Sequence, residues 1–132
     1  MDSDRDLFEI AKRALGNAYA PYSRFRVGAA VLTREGNVYS GCNVENSSYG
    51  LTVCAERNAV FKAISEGARA FDTLALVSES SHPVSPCGAC LQVLSEFTPA
   101  LRILLCTPDG IRRTTTLSEL LPDAFGPDDL PR

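Results

Sequence analysis

Residues Thr52–Gln92 read TVCAERNAVFKAISEGARAFDTLALVSESSHPVSPCGACLQ, and the fold class turns on this stretch. Cys54 to Glu66 has the pattern of a helix, with Val60, Phe61 and Ile64 expected on its core face and Thr52 a candidate cap. Thr73 to Val77 is an uninterrupted apolar run, the pattern of a strand buried on both faces. Beyond a Ser/Pro-rich loop, Ser78–Pro86, a second helix is expected from Cys87 or Gly88 to Phe97, and Leu101–Cys106 repeats the buried-strand pattern. Strand, helix and strand in succession imply a parallel pair joined by a right-handed crossover. The class is therefore α/β.

Upstream, Leu7, Ile10, Ala11, Ala14, Leu15 and Ala18 recur at helical spacing, predicting an amphipathic helix over roughly residues 4–18 with Asp4 as cap and Gly16-Asn17 as stop. An aromatic-rich connection follows, Tyr19 to Phe25, in which Pro21 steers the residue before it away from helical geometry. Arg26–Leu32 and Val38–Cys42 read as a hairpin closed by Arg34-Glu35-Gly36-Asn37. Asn43 to Thr52 is polar and broken by Gly50, a long loop of the kind that carries function. Downstream, Thr107-Pro108-Asp109-Gly110 is a turn, and Ile111–Thr116 a more polar strand suited to a sheet edge. Leu117–Leu121 suits a short helix, and a Pro- and Asp-rich tail from Pro122 is expected to leave the body. The order α-β-β-α-β-α-β-β predicts three layers, α/β/α, around a mixed five-stranded sheet. Residues 1–132 are expected to form a single domain, with 122–132 as a tail.

Composition narrows the functions. The chain of 132 residues is 45% hydrophobic, enough for one sizeable core. No run approaches the ~20 apolar residues of a membrane span, so no membrane partner is expected. The first residues, Met1 to Asp6, are polar and acidic, unlike a secretory signal. A net charge of −3 with no basic stripe argues against a nucleic-acid polymer as partner. Five cysteines, an odd number without an export signal, favour reduced thiols or metal ligands over disulfides. A cytoplasmic location is expected.

Three of those cysteines carry the chemistry. Cys87 and Cys90 are one helical turn apart, and Cys54 lies at another predicted helix start. The partial positive charge of a helix N-terminus favours thiolates there. Three protein ligands leave the fourth tetrahedral position of a zinc ion open, as a catalytic site requires. Glu56 supplies a general acid/base beside it. Residues two apart in a regular helix diverge by about 200°, so Cys54 and Glu56 share a site only if Cys54 precedes the regular helix.

At this point the sequence resembles a known family. Cys54-Ala55-Glu56 with Pro86-Cys87-Gly88-Ala89-Cys90 looks like the zinc nucleoside deaminase signature. Asn43-Val44-Glu45-Asn46, Phe25-Arg26-Val27-Gly28-Ala29-Ala30 and Leu120-Leu121-Pro122-Asp123-Ala124-Phe125 extend the likeness to the small, homotetrameric cytidine deaminases, from about Ala14 to Leu130. The resemblance implies a cytidine deaminase-like fold and hydrolytic deamination of cytidine and deoxycytidine. It implies one zinc per chain on Cys54, Cys87 and Cys90, and Glu56 as the proton-transferring catalytic residue. It also implies a substrate-binding set of Phe25, Asn43, Glu45, Tyr49, Ala55 and Phe125, with Asn43 and Glu45 on the ribose. A homotetramer sharing its pockets is implied as well, Tyr49 and Phe125 crossing between subunits. The family pattern places two arginines beside the thiolates. Arg57 is present, but Leu91 stands at the second position, so charge compensation at the metal is in question.

Other readings stand beside these. The cysteines could hold a purely structural zinc or be buried thiols, Asn43 and Glu45 could be turn residues, and Phe125 could staple its own tail. Leu91 could extend the apolar face of Leu94. Cys42 and Cys106 suit small core positions, while Arg24, Arg26, Arg112, Arg113 and His82 suit the surface. The rival functions are deamination of another aminopyrimidine nucleoside such as blasticidin S or of a free base, cysteine hydrolysis with His82 as base, a non-catalytic zinc module, and polynucleotide editing.

Overall fold

The computed structural model describes residues 3–131. Helix α1 spans Asp4–Leu15, strand β1 Val27–Thr33, β2 Val38–Cys42, α2 Ala55–Ser65, β3 Phe71–Ser78, α3 Gly88–Phe97, β4 Arg102–Thr107, β5 Gly110–Thr116 and the short α4 Leu117–Leu120. The sheet runs in the order β2-β1-β3-β4-β5. Only β3 and β4 pair in parallel, joined through α3, and β1 pairs antiparallel with both β2 and β3. β5 closes one edge antiparallel to β4, as its polar composition suggested. The molecule is thus an α/β/α sandwich on a mixed five-stranded sheet.

The pleat sorts the core into two layers. Ala30, Ala75, Val77, Leu104 and Cys106 face α1, meeting Leu7, Phe8, Ala11 and Leu15. Ala29, Val31, Leu74, Leu76, Ile103 and Leu105 face the opposite side, meeting Ala55, Ala59, Val60 and Ala63 of α2 and Leu91 and Leu94 of α3. Two glycines set the helix distances. A Cβ on Gly28 would lie 2.1 Å from the Ala11 carbonyl oxygen of α1, and one on Gly41 2.5 Å from the Ala59 nitrogen of α2. α2 therefore lies directly on β2, through its small residues Ala55 and Ala59. That close seat overturns one expectation. The alanine stripe faces the sheet, so Phe61 points outward and is 47% exposed.

Helix starts differ slightly from the sequence reading. Ser3, one residue before Asp4, caps α1, its hydroxyl accepting from Asp6 N at 3.1 Å. The helix stops at Leu15, leaving Ala18 in the connection. Cys54, not Thr52, is the N-cap of α2, and Cys87 that of α3. The Asn43–Thr52 loop is tied down by a parallel bridge from Tyr19 to Val44 and an antiparallel one from Val44 to Val53. The C-terminal segment, expected to leave the body, instead returns along α3, where Gln92 Nε2 donates to the Phe125 carbonyl at 2.8 Å.

Candidate metal centre and active-site cleft

Because β2 and β3 run in the same direction and α2 and α3 lie on one face of the sheet, the starts of the two helices meet. Cys54 and Cys87, in extended backbone at the two N-caps, and Cys90 in the first turn of α3 bring their sulfurs within 4.8 Å of one another. Cys54 Sγ lies 4.0 Å from Cys87 Sγ, which lies 3.4 Å from Cys90 Sγ. Sulfurs about 3.8 Å apart are what tetrahedral ligation at a Zn–S distance of about 2.3 Å demands. None of the three is in a disulfide. Cys90 is fully buried whereas Cys87 is exposed, so the cluster opens to solvent on one side.

The electrostatics favour a thiolate at Cys54. The Cys54 thiol is drawn down to about 5, first by a hydrogen bond from Cys90 and then by the Arg57 guanidinium. The Cys90 thiol is pushed up for the complementary reasons, its bond to Cys54 and its burial. Arg57 Nη2 approaches Cys54 Sγ at 3.5 Å, while its Nε is buried without a hydrogen-bond partner. A guanidinium held this way balances a centre where three thiolates outweigh a dication by one charge. Leu91, where the family pattern has arginine, is buried in the core beside Leu94. Its role there is apolar, and Arg57 is the guanidinium that, among the described residues, meets the cluster.

Capping by Cys54 also resolves the placement of Glu56. With Cys54 outside the regular helix, both side chains line one cleft of about 340 Å³, together with Ser23, Phe25, Val27, Asn43, Glu45, Thr52, Ala55, Leu76, Val84 and Ser85. Glu56 is only 4% exposed. Burial, and then the charge on Cys54, push its carboxyl up to about 7, against its own backbone N–H, the Cys90 thiol and Arg57.

In the same cleft, Asn43 and Glu45 are buried and already engaged. Asn43 Nδ2 donates to the Phe25 carbonyl and its Oδ1 accepts from Val27 N, both at 2.9 Å. Glu45 Oε1 accepts from Tyr22 N at 3.0 Å and Ser23 N at 3.1 Å, and Oε2 accepts from the Ser23 hydroxyl. A carboxylate has about four acceptor positions and an amide nitrogen two protons. Glu45 thus keeps one acceptor and Asn43 one donor. Neither the engagement nor the part of Ser23, Thr52, Val84 and Ser85 in the cleft was anticipated from sequence; the Tyr-Ser pair before Phe25 was the available signal.

Two expected site residues lie outside this cleft. Tyr49 is 73% exposed and lines an adjoining depression of about 320 Å³ with Tyr22, their ring centroids 5.7 Å apart. Phe125 is 57% exposed, over α3. His82 hydrogen-bonds Ser80 Oγ on the surface and does not line the cleft.

Three sulfurs gathered at paired helix starts, beside a buried carboxyl on an α/β/α sandwich, are a donor set that could hold a zinc ion with its fourth position open. The family model described as "Cytidine and deoxycytidylate deaminase zinc-binding region" matches residues 1–106. The chain belongs to that family. It is 49% identical over 131 residues to a cytidine deaminase from Sporosarcina psychrophila, covering 98% of this chain and 96% of the relative. The crystal structure of cytidine deaminase from Burkholderia pseudomallei superposes with a TM-score of 0.90 at 50% identity, covering 93% of this chain and 99% of that one. A blasticidin-S deaminase from Bacillus cereus is more distant, 33% identical with 90% of this chain and 89% of the relative covered.

Proposed function

We infer that this protein is a zinc-dependent hydrolase that converts cytidine and deoxycytidine to uridine and deoxyuridine with release of ammonia. The observation that carries the reading is one cleft joining a three-sulfur cluster and buried Glu56 to the half-satisfied pair Asn43 and Glu45. Full-length similarity to cytidine deaminases supports the same substrate.

Cys54, Cys87 and Cys90 would hold the zinc, which when bound supplies Lewis acidity that acidifies water toward neutrality. Glu56, whose carboxyl is poised near 7, holds and releases the travelling protons. In the balanced reaction the water oxygen bonds C4 of the ring and the bond from C4 to the exocyclic nitrogen breaks. Glu56 carries one water proton to N3, and the other leaves with the amine as ammonia. Ala55 and Phe25 contribute apolar wall against the base. The 3′-hydroxyl of the sugar donates to the remaining acceptor of Glu45 and accepts from the remaining N–H of Asn43. Arg57 steadies the thiolate of Cys54.

The assembly is a homotetramer in which Tyr49 and Phe125 complete a neighbour's pocket. Their exposure, with that of Tyr19, Tyr22 and Leu51, leaves apolar surface available for such contacts. The setting is pyrimidine salvage in the cytoplasm; among the described residues no helix is long and apolar enough to cross a membrane.

Blasticidin S is the competing substrate, because a deaminase acting on it is a relative. A panel of cytidine, deoxycytidine, cytosine and blasticidin S, followed by ultraviolet absorbance, separates the two. Rapid turnover of both nucleosides, lost in Glu56→Ala, is the expected result. Turnover of blasticidin S alone would overturn the reading.

A further inference from the structure

The wall of the cleft that carries Phe25 is built around Ser23. Arg24 holds a left-handed backbone, φ 58°, an arrangement uncommon for any residue but glycine and sustained only when its surroundings impose it. The turn is closed on one side by Arg24 N donating to the Ala20 carbonyl at 3.0 Å. On the other, Ser23 Oγ accepts from Phe25 N at 3.1 Å and donates to Glu45 Oε2. One hydroxyl therefore links the Glu45 carboxylate to the backbone of the cleft's aromatic wall. Asn43 completes the frame by pinning the Phe25 carbonyl and Val27 N. The hydrogen bond from Ser23 also leaves the single open acceptor of Glu45 in one defined direction.

We propose that Ser23 is a positioning residue for sugar recognition, orienting the Glu45 carboxylate toward the 3′-hydroxyl while fixing Phe25 against the base. This rests on the reading that Glu45 binds the sugar. Ser23 bonds Glu45 and Phe25 and neither Glu56 nor the cysteines, so the effect falls on substrate binding and leaves proton transfer by Glu56 unchanged. Threonine retains the hydroxyl and so the function; alanine removes the donor to Glu45 and the acceptor for Phe25 N together.

Steady-state kinetics of the zinc-loaded wild type, Ser23→Ala and Ser23→Thr test this, with cytidine and 2′,3′-dideoxycytidine as substrates and melting temperature recorded in parallel. For cytidine, Ser23→Ala is expected to raise KM about tenfold with kcat within about twofold, and Ser23→Thr to restore KM. For the dideoxynucleoside, which lacks the 3′-hydroxyl, the same substitution should raise KM by less than about threefold. An equal KM penalty on both substrates, an unchanged KM for cytidine, or a fall in kcat that tracks melting temperature would each overturn the proposal. A wild type inactive on cytidine would instead overturn the functional reading beneath it.

Discussion

Glu56 combines two properties that ordinarily conflict: it is ionisable, and it is almost wholly buried. Desolvation makes the protonated carboxyl accessible near neutrality, which suits a group that must both accept and return a proton. Glu56→Gln keeps the shape and loses the proton acceptor. It is expected to lower kcat by about 10²–10⁴ while zinc content, measured by metal analysis, stays at one per chain. Leu91 makes the contrasting case. The sequence flagged it as a missing charge, whereas the structure buries it in the cluster that contains Leu94, Ala59 and Leu105. Leu91→Ala should cost about 2–4 kcal/mol in chemical denaturation, with zinc content retained in the folded protein. A negligible cost would show that the side chain is not part of the core.

Element positions follow from patterns that sequence carries locally. The apolar run Thr73–Val77 lies within β3, and Leu101–Cys106 falls within β4 from Arg102 onward, because strands covered on both faces need continuous apolar character. The cap of α2 was less legible. Thr52 is the better capping side chain, but the regular helix begins only after Cys54, a choice imposed where α2 meets α3. The frame around Asn43 and Glu45 was not legible at all, since it joins residues 16 to 23 apart through a connection without periodicity. The zinc ligands and Glu56, by contrast, are short-range motifs on helix starts.

Asp4 at the start of α1 pairs with Arg102 of β4, and the bond to Arg102 holds its carboxyl below the usual range despite partial burial. A depressed folded-state value means the stabilisation is present above the unfolded pKa, about 3.9, and is lost as pH falls through the folded value. The pair is 40–42% exposed, so solvent screening limits it to about 1 kcal/mol or less. Asp4→Asn should lower the melting temperature by a few degrees at pH 7, and the difference should shrink steadily as the medium is acidified below the unfolded value. A gap that persists in acid would assign the effect to packing instead.

For the whole molecule, the depression beside the cleft carries the exposed Tyr22 and Tyr49, and Phe125 is exposed over α3 and lies outside the cleft. If Phe125 completes a neighbour's pocket, Phe125→Ala raises KM for cytidine about tenfold or more, in line with the worth of one base–aromatic contact. Refolding a mixture of Phe125→Ala and Glu56→Gln chains should then produce a population with wild-type KM, because some pockets pair an intact Glu56 with a neighbour's Phe125. Kinetics equal to the sum of the two parents would place Phe125 in its own subunit's structure alone.

Catalysis at the joined helix starts depends on metal held by Cys54, Cys87 and Cys90, and removal and return of zinc test this most directly. The wild type, freed of metal by a chelator and shown by circular dichroism to keep its fold, should leave cytidine absorbance unchanged. Activity should return in proportion to added zinc and saturate at one ion per chain. Undiminished deamination by verified metal-free protein, or a fully zinc-loaded protein that leaves cytidine intact, would contradict the account.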